Sequence, residues 1–401
     1  MRIGIDARFL GEKASGLARY SENLLEAMAR ADDHNEYVVF VSRKLQRKLK
    51  LRPNFKLVPM RGHPLGLTGM LRMTLAVRRE EIDLLHVHFP ASPPFIDCPV
   101  LITVHDILPF ARESAVTGYR LRPLRRLWSY VLYTMTLSRS RWVVCVSSAT
   151  REALCRLFPE LRHKTIVVHS GVDEIFRTPV ETSALDLIRS RLELPERYML
   201  YSGSVRADKN IATMMRIFAT LYQGNPAMED LWLVMEVGGR EEDIETVRRL
   251  ARQYGISDRI QFIVDAKDDE RRVIFEGARL LILLGRAEGF GFPILEAQLS
   301  GVPVIAADAG ALPEIAGEDG AVLVDPEDQD SVIHLIERVI TDEALRAYLI
   351  DRGRENASEY AWSESARQLT QIYDFLFYPR DQVELPPRNK LAVLVSQWLR
   401  L

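Results

Sequence analysis

The chain has 401 residues, of which 47% are hydrophobic and 27% are charged, and its net charge is −2. This composition is typical of a soluble globular protein, and no apolar run reaches the roughly 20 residues that a transmembrane helix needs. The length exceeds that of one ordinary hydrophobic core and suits two domains of about 200 residues each.

Charge is unevenly distributed along the chain. Residues 1–170 hold 27 Lys and Arg against 15 Asp and Glu, whereas residues 171–401 hold 26 against 40. Such a split favours an anionic partner for the first half. Attraction between two oppositely charged domains explains it equally well.

Neither the start of the chain nor its cysteines indicate export. The first six residues predict a strand rather than a signal peptide. Three cysteines, Cys98, Cys145 and Cys155, cannot all pair, and none lies at a metal-ligand spacing. We therefore expect a cytoplasmic protein.

Apolar runs and amphipathic segments alternate along the chain, which predicts parallel α/β sheets. In the first half, the predicted strands are residues 2–6, 37–41, 84–87, 100–104 and 142–146, and the predicted helices include 17–30 and 121–137. In the second half, the predicted strands are residues 198–203, 231–237, 260–264, 280–284, 303–306 and 321–324, and a long helix is predicted over 362–378.

The boundary between the two series is predicted between Asp173 and Pro195. We therefore expect one Rossmann-like domain over residues 1–175 and a second over 190–378. We expect residues 379–401 to be a tail that packs back on the first domain or on a membrane. Two doubly wound sheets that face each other would place both carboxyl edges, where such sheets bind ligands, at one cleft.

The most informative motif runs from Arg286 to Ala297. Pro293 suits the first turn of a helix that carries Glu296, while Glu288 stays in the preceding loop. Gly289 and Gly291 let the backbone approach a ligand closely. The start of the helix favours an anion, whereas carboxylates beside a phosphate are better suited to accept hydrogen bonds from hydroxyls. This pattern indicates a nucleotide sugar.

The motif, followed by the Ser300-Gly301-Val302-Pro303-Val304 turn, is similar to the E-x7-E signature of retaining glycosyltransferases of family 4. The resemblance covers most of residues 1–377. It implies the GT-B fold, in which two doubly wound Rossmann-like domains face each other across a cleft. It also implies transfer of a hexose from a GDP- or UDP-sugar to an alcohol of a glycan or lipid-linked glycan, with mannose preferred.

Alternative functions remain open beside this one. An epimerase of sugar nucleotides or a disaccharide phosphorylase could use the same fold and pocket. A non-catalytic nucleotide-sugar-binding protein is a third hypothesis, which the presence of both glutamates, Arg206, Lys209 and His105 disfavours.

The resemblance also implies roles for individual residues around the donor. The segment from Gly203 to Asn210 is similar to the family's G-x-x-R-x-x-K-N loop. Arg206 and Lys209 would therefore bind the donor diphosphate, where their charges act on the leaving group. Further contacts to the diphosphate are expected from Gly16, in a segment that resembles the family's G-[IV]-[GA]-R-Y, and from the amides of Phe290, Gly291 and Phe292.

Sugar and nucleoside contacts are implied in the same way. Thr103-Val104-His105-Asp106 resembles the family's T-x-H-D motif, whose histidine faces the donor sugar. His105 and Glu288 are thus the candidate catalytic residues, with Glu288 on the hydroxyls of the sugar. Glu296 would hold the ribose, and the backbone near Ile263 and Val264 would contact the base.

No metal or other cofactor is expected. Asp328-Gln329-Asp330 matches the D-x-D metal motif, but it follows Pro326 at a predicted helix start, where capping explains both acids. The resemblance likewise implies catalysis that does not need a metal. Ser147 or Ser148 is predicted to cap another helix.

Basic and aromatic residues alternate over residues 112–142. This pattern suits an anionic membrane surface, and we expect a place at the inner face of a membrane as a hypothesis. A solvated helix explains the pattern about as well. No recognised nucleic-acid-binding module accompanies it, so we expect no nucleic-acid partner.

Overall fold

A computed structural model describes residues 1–10, 16–45, 49–93, 95–107, 123–178, 182–238 and 241–377. Two segments singled out above lie outside these residues, namely the first part of the basic segment (112–122) and the tail from residue 379 onward. The loop before Gly16 also lies outside them.

The first lobe is a seven-stranded sheet with its covering helices. Its strands are β1 (Arg2–Ala7), β2 (Glu36–Ser42), β3 (Phe55–Met60), β4 (Leu84–Val87), β5 (Val100–Val104), β6 (Trp142–Cys145) and β7 (Thr165–Val167). Its helices are α1 (Gly16–Ala31), α2 (Leu67–Arg79), α3 (Pro123–Arg139) and α4 (Ser148–Leu157). The strand order is β3-β2-β1-β4-β5-β6-β7.

The second lobe is a six-stranded sheet with eight described helices, α5 to α12. Its strands are β8 (Tyr198–Ser204), β9 (Trp232–Gly238), β10 (Ile260–Val264), β11 (Leu280–Leu283), β12 (Val304–Ala307) and β13 (Val322–Val324), in the order β10-β9-β8-β11-β12-β13. The helices are α5 (Thr182–Leu192), α6 (Ile211–Gly224), α7 (Glu241–Gln253), α8 (Asp268–Glu276), α9 (Phe292–Leu299), α10 (Leu312–Ala316), α11 (Gln329–Thr341) and α12 (Glu343–Ser358).

All strand pairs in both sheets are parallel, as predicted. In each sheet the strand order reverses beside its first strand, between β1 and β4 and between β8 and β11. Loops that leave neighbouring strands in opposite directions open a crevice at such a point, which is where ligands of these sheets bind. The two crevices frame the candidate site.

Two strands, β3 and β7, were not predicted from the apolar runs. Both lie at the edges of the first sheet. β3 exposes most of its middle residues and contains Pro59, which a sheet tolerates at its edge because the missing N–H faces no neighbour. β7 has only three residues. β3 is too exposed, and β7 too short, to leave a long apolar run in the sequence.

The last described helix, α13 (Trp362–Phe377), packs against α1 of the first lobe. The chain crosses back beside Val172, whose amide donates to the carbonyl of Tyr360 at 3.0 Å. At the far end of α13, the hydroxyl of Tyr373 lies 2.6 Å from Nδ1 of His86. The predicted division between residues 175 and 190 falls between β7 and β8, and this helix adds a second passage between the lobes.

Candidate active site

Two loops of the second lobe bring Lys209 and Glu288 together. Lys209 follows β8 and Glu288 follows β11, which are neighbouring strands. Nζ of Lys209 donates to Oε1 of Glu288. Both side chains are largely buried, with exposed fractions of 12% and 19%. Their positions after adjacent parallel strands therefore produce one ion pair at the carboxyl edge of the sheet.

Arg206 lies beside this pair and is oriented by Asp208. Its Nε and Nη2 donate to the two carboxylate oxygens of Asp208 at 2.9 and 2.8 Å. Burial alone would lower the pKa of Arg206, but Asp208 raises it above its ordinary value. The same carboxylate lies 3.7 Å from Nζ of Lys209. Asp208, which is 2% exposed, thus positions both predicted diphosphate-binding cations.

The first lobe approaches the Glu288 loop from the opposite side of the cleft. The hydroxyls of Ser147 and Thr150 donate to the carbonyl of Gly289 at 2.7 and 3.0 Å. Ser147 also accepts from the amide of Thr150, so it caps α4 as predicted. A β-carbon on Gly289 would lie 1.7 Å from the carbonyl oxygen of His105. His105 and the Glu288 loop are therefore in direct backbone contact.

His105 is neutral near neutral pH, and one of its nitrogens is committed to the first lobe. Burial lowers the pKa of His105 to about 4, although the His88 carbonyl works in the opposite direction. Nε2 lies 2.9 Å from that carbonyl oxygen. Because a carbonyl only accepts, Nε2 carries the proton and Nδ1 is left as an acceptor. A substrate hydroxyl could donate to Nδ1.

Two further buried side chains, those of His86 and Tyr20, lie around His105. His86 bridges Tyr373 and Thr103, with Nδ1 at 2.6 Å from the tyrosine hydroxyl and Nε2 at 2.9 Å from the threonine hydroxyl. Burial lowers the pKa of His86 to about 3. Tyr20 packs edge-on against His105, with ring centroids 4.5 Å apart, and lies 3.3 Å from Thr103. Their role is to hold His105 in place.

The glycine-rich loop ends where α9 begins, at Phe292. Gly291 precedes the helix with φ of 106°, a left-handed conformation that favours glycine, and Pro293 lies in the first turn as predicted. Phe292 stacks on Trp362, with centroids 6.2 Å apart. Pro293 has no N–H, and the amide of Ile294 donates to the carbonyl of Gly291 at 3.0 Å. An anion at this helix start would therefore accept from the amide of Phe292.

Glu296 is held by two arginines. One carboxylate oxygen accepts from Arg19, which belongs to α1 of the first lobe, and the other accepts from Arg271 at 2.7 Å. Arg271 also donates to Glu236 at 3.3 Å. Burial lowers the pKa of Arg19 to about 9, and the neighbouring Arg271 acts in the same direction. The predicted ribose-binding glutamate is thus the centre of a charge cluster between the lobes.

The remaining predicted donor contacts lie around this cluster. Ile263 is paired in register with Glu236 on the next strand, and Val264, the last residue of β10, is 38% exposed. Gly16 begins α1 on the same helix as Arg19, and a β-carbon there would meet no atom within 4 Å. The backbone at Gly16 is therefore open to close approach by a ligand.

The chain matches two known protein families, one over each lobe. The profile of Glycosyltransferase Family 4 matches residues 14–175, and that of Glycosyl transferases group 1 matches residues 186–356. Each profile covers one lobe. The chain is a family 4-like glycosyltransferase with the GT-B fold. The family assignment that the E-x7-E motif implied is confirmed.

Relatives of this glycosyltransferase include enzymes that act on different acceptors. A D-inositol 3-phosphate glycosyltransferase from Salinispora arenicola is 26% identical over 76% of this chain and 71% of its own length. The O-antigen chain mannosyltransferase B of Escherichia coli is 28% identical over 60% of this chain and 62% of its own.

Solved structures show the same fold. The sucrose-phosphate synthase of Thermosynechococcus elongatus superposes with a TM-score of 0.75 at 21% identity, covering 94% of this chain and 99% of its own. HepE of Anabaena, solved in complex with UDP-glucose, superposes with a TM-score of 0.71 at 17% identity, covering 94% of this chain and all of its own.

Glu314 makes a contact between the lobes that the motifs did not indicate. Its carboxylate accepts from the amides of Ser148 and Ala149 at 2.8 and 3.0 Å, at the start of α4 in the first lobe. Nε2 of His169 lies 2.7 Å away. Burial would raise the pKa of Glu314, but these hydrogen bonds lower it to about 2. Glu314 therefore clamps the second lobe of the glycosyltransferase onto the first.

Gly310 supports the Glu288 loop from the side of the second lobe. It has φ of 60°, and a β-carbon there would lie 2.7 Å from the carbonyl oxygen of Glu288. That carbonyl accepts from the amide of Ala311 at 3.0 Å. A glycine two residues before a helical Leu312-Pro313 pair is the one sequence signal that could have indicated this contact.

The described residues contain neither a metal site nor a membrane-spanning helix. No three His, Cys, Asp or Glu side chains in the described part of the chain converge in a way that could hold a metal ion. Asp328 instead caps α11, accepting from the amide and hydroxyl of Ser331 at 3.2 and 2.7 Å. Within the same residues, no helix is both long enough and apolar enough to span a bilayer.

Proposed function

We propose that this glycosyltransferase moves a hexose from a nucleotide diphosphate sugar to an alcohol of a glycan or lipid-linked glycan, with retention of the anomeric configuration. The observation that carries the proposal is the Lys209–Glu288 ion pair, which lies on the loop that contacts the His105 backbone. A donor would replace this pair with an ion pair between Lys209 and the diphosphate and with hydrogen bonds from the sugar hydroxyls to Glu288.

Bond cleavage adds a negative charge to the leaving diphosphate. Arg206, Lys209 and the amides of Phe290, Gly291 and Phe292 would stabilise that charge, each charge-assisted contact contributing about 1.5–3 kcal/mol. The acceptor hydroxyl would attack from the face that the diphosphate leaves and give its proton to a diphosphate oxygen. This same-face displacement retains the configuration without a covalent glycosyl-enzyme intermediate.

The reaction as proposed needs no metal, because two cationic side chains and a helix start take the role that a divalent ion has elsewhere. Turnover should therefore persist in excess EDTA. Loss of turnover that Mg²⁺ or Mn²⁺ restores would contradict the proposal.

GDP-mannose is the donor we propose, supported by the O-antigen mannosyltransferase among the relatives. UDP-glucose is the second candidate, since it is bound to the structural neighbour HepE. A bound donor raises the melting temperature by mass action, so a thermal-shift panel of both donors with GDP and UDP separates the two.

Substitution of Glu288 tests the function directly. Glu288→Ala should abolish hexose transfer while GDP or UDP binding, measured by titration calorimetry, changes little. The exposed Glu318→Gln is the matched control and should behave as wild type. Unchanged turnover in Glu288→Ala would refute the assigned role.

Incubation of wild type with donor alone separates the alternatives. A glycosyltransferase leaves the sugar configuration unchanged without an acceptor, whereas an epimerase converts it. A phosphorylase would release a sugar phosphate from a disaccharide and inorganic phosphate. Binding without any turnover across donors and acceptors would favour the non-catalytic protein.

A membrane-bound acceptor is supported by the surface of α2. Leu67, Leu71 and Leu75 are 65%, 60% and 64% exposed and follow one another at helical spacing. The exposed Arg72 and Arg79 flank this stripe, and α2 contains no acidic residue. Exposed leucines edged by arginines suit an anionic lipid surface, where each basic residue contributes about 1 kcal/mol.

Vesicle co-sedimentation tests this surface. Wild type should bind phosphatidylglycerol vesicles at low salt and bind phosphatidylcholine vesicles much less. Leu71→Glu with Leu75→Glu should abolish sedimentation, whereas Leu187→Glu, at a leucine 70% exposed on α5, should not. Equal loss in both variants, or none in either, would remove α2 from the proposal.

A further inference from the structure

We propose that Arg19 and the donor ribose compete for Glu296. When the ribose binds Glu296, the Arg19 side chain turns and its guanidinium binds the donor diphosphate instead. Arg19 would then be a donor-binding residue supplied by the opposite lobe. This inference rests on the proposed function, since it assumes a nucleotide diphosphate at the second lobe.

The burial of the cluster identifies Arg19 as the exchangeable partner. The Glu296 side chain is 1% exposed and that of Arg271 is 7% exposed, whereas Arg19 is 25% exposed. Arg271 is also held by Glu236 on the neighbouring β9. A ribose hydroxyl can therefore reach Glu296 only where Arg19 now lies, and withdrawal of Arg19 leaves the second lobe intact.

Charge balance favours the exchange. Glu296 keeps Arg271 as its cation when Arg19 leaves, so no buried carboxylate is left unpaired. Arg19 meanwhile shares one carboxylate with a second arginine, and this like charge disfavours its protonated form. A diphosphate offers Arg19 more negative charge and a bidentate acceptor, which suits the planar guanidinium.

The position of Arg19 makes the transfer short. Its guanidinium carbon lies 5.7 Å from the ring centroid of Phe292, the first residue of α9. The amides at this helix start are the predicted diphosphate site. Rotation about side-chain bonds could thus carry the guanidinium from the ribose site to the diphosphate without movement of α1.

Binding of nucleosides with and without phosphates tests the exchange. Titration calorimetry would give Kd for guanosine and GDP, and for uridine and UDP, with wild type and Arg19→Met. We expect Arg19→Met to bind the nucleoside several-fold more tightly and the nucleoside diphosphate more weakly. The Kd of the nucleoside divided by the Kd of the nucleoside diphosphate should fall at least about tenfold. The diphosphate loses one charge-assisted contact, and the nucleoside loses one competitor.

Arg30→Met is the matched control, since Arg30 lies on the same helix with its side chain 57% exposed. Arg19→Lys keeps the charge without the planar fork and should give an intermediate ratio. If Arg19→Met does not fold, the ratio measured with Arg19→Lys tests the role of Arg19. An unchanged ratio, or equally weakened binding of both ligands, would overturn the role of Arg19 but leave the proposed function standing. Failure of wild type to bind any of the four ligands would overturn the proposed function as well.

Discussion

Gly289 has room for a hydrogen atom and nothing larger. Its α-carbon faces the backbone of His105 across the cleft, so the two lobes touch through main-chain atoms beside Glu288. Backbone atoms cannot rotate away as side chains do. The closeness of this contact makes Gly289 a sensitive probe of whether turnover depends on closure.

Gly289→Ala should therefore reduce turnover strongly while GDP or UDP binding to the second lobe is retained. A β-carbon 1.7 Å from a carbonyl oxygen forces the loop and His105 apart, and a misplacement of about 1 Å can reduce rates about a hundredfold. Steady-state kinetics with calorimetry measure both effects. Gly224→Ala is the control, because a β-carbon there meets no atom within 4 Å. Wild-type turnover in Gly289→Ala would show that this contact is not needed.

Single residues differ in how far the sequence predicts them. Lys209, Glu288 and His105 each follow a parallel strand, and strand topology alone brings such residues to the carboxyl edge of their own sheet. Arg19 and Glu314 act through partners 277 and 166 positions away. Nothing in the local sequence records these pairings, because they depend on how the two lobes are placed.

At the scale of helices and strands, burial decided what could be predicted. Strands in the middle of both sheets are continuous aliphatic runs because helices cover both faces. The edge strand β3 exposes most of its middle residues and was missed for that reason. Helix α13 was predicted from its periodicity, but its position on the first lobe was not. That position depends on Gly171, where the chain passes α13 closely.

Gly171→Ala should loosen α13 from the first lobe. A β-carbon at position 171 would lie 2.2 Å from the backbone nitrogen of Trp362. Overpacking of this kind destabilises a fold by about 1–3 kcal/mol. Thermal unfolding and hydrogen exchange of the α13 amides would measure the loss, with Gly224→Ala again as control. An unchanged exchange rate in α13 would contradict the predicted contact.

At the scale of the whole molecule, one of the contacts that hold the lobes together, that of Glu314, responds to pH. The hydrogen bonds of Glu314 lower its pKa from 4.5 to about 2. Because the pKa is lower in the clamped state, the stabilisation is complete above pH 4.5 and is lost as pH falls towards 2. The helix start of α4 binds the carboxylate only while it is ionised.

Acid should therefore open wild type more than a variant without the clamp. Small-angle scattering from about pH 6 to about pH 3 should show wild type expanding as Glu314 protonates. Glu314→Gln should be more open at pH 6 and change less on acidification. The difference between the two proteins isolates Glu314 from other carboxylates, and parallel curves would contradict the clamp.

The return of α13 to the first lobe has a mechanical consequence. The lobes are joined by the chain between β7 and β8 and again by the chain that returns at Ala361 into α13. The two passages pair with each other at Val172 and Ala361. A single linker permits twisting in any direction, whereas two adjacent passages permit mainly bending about the line that joins them. Relative motion of the two lobes is then mainly a change in one hinge angle. Each time the lobes close, the same atoms of the two cleft faces meet.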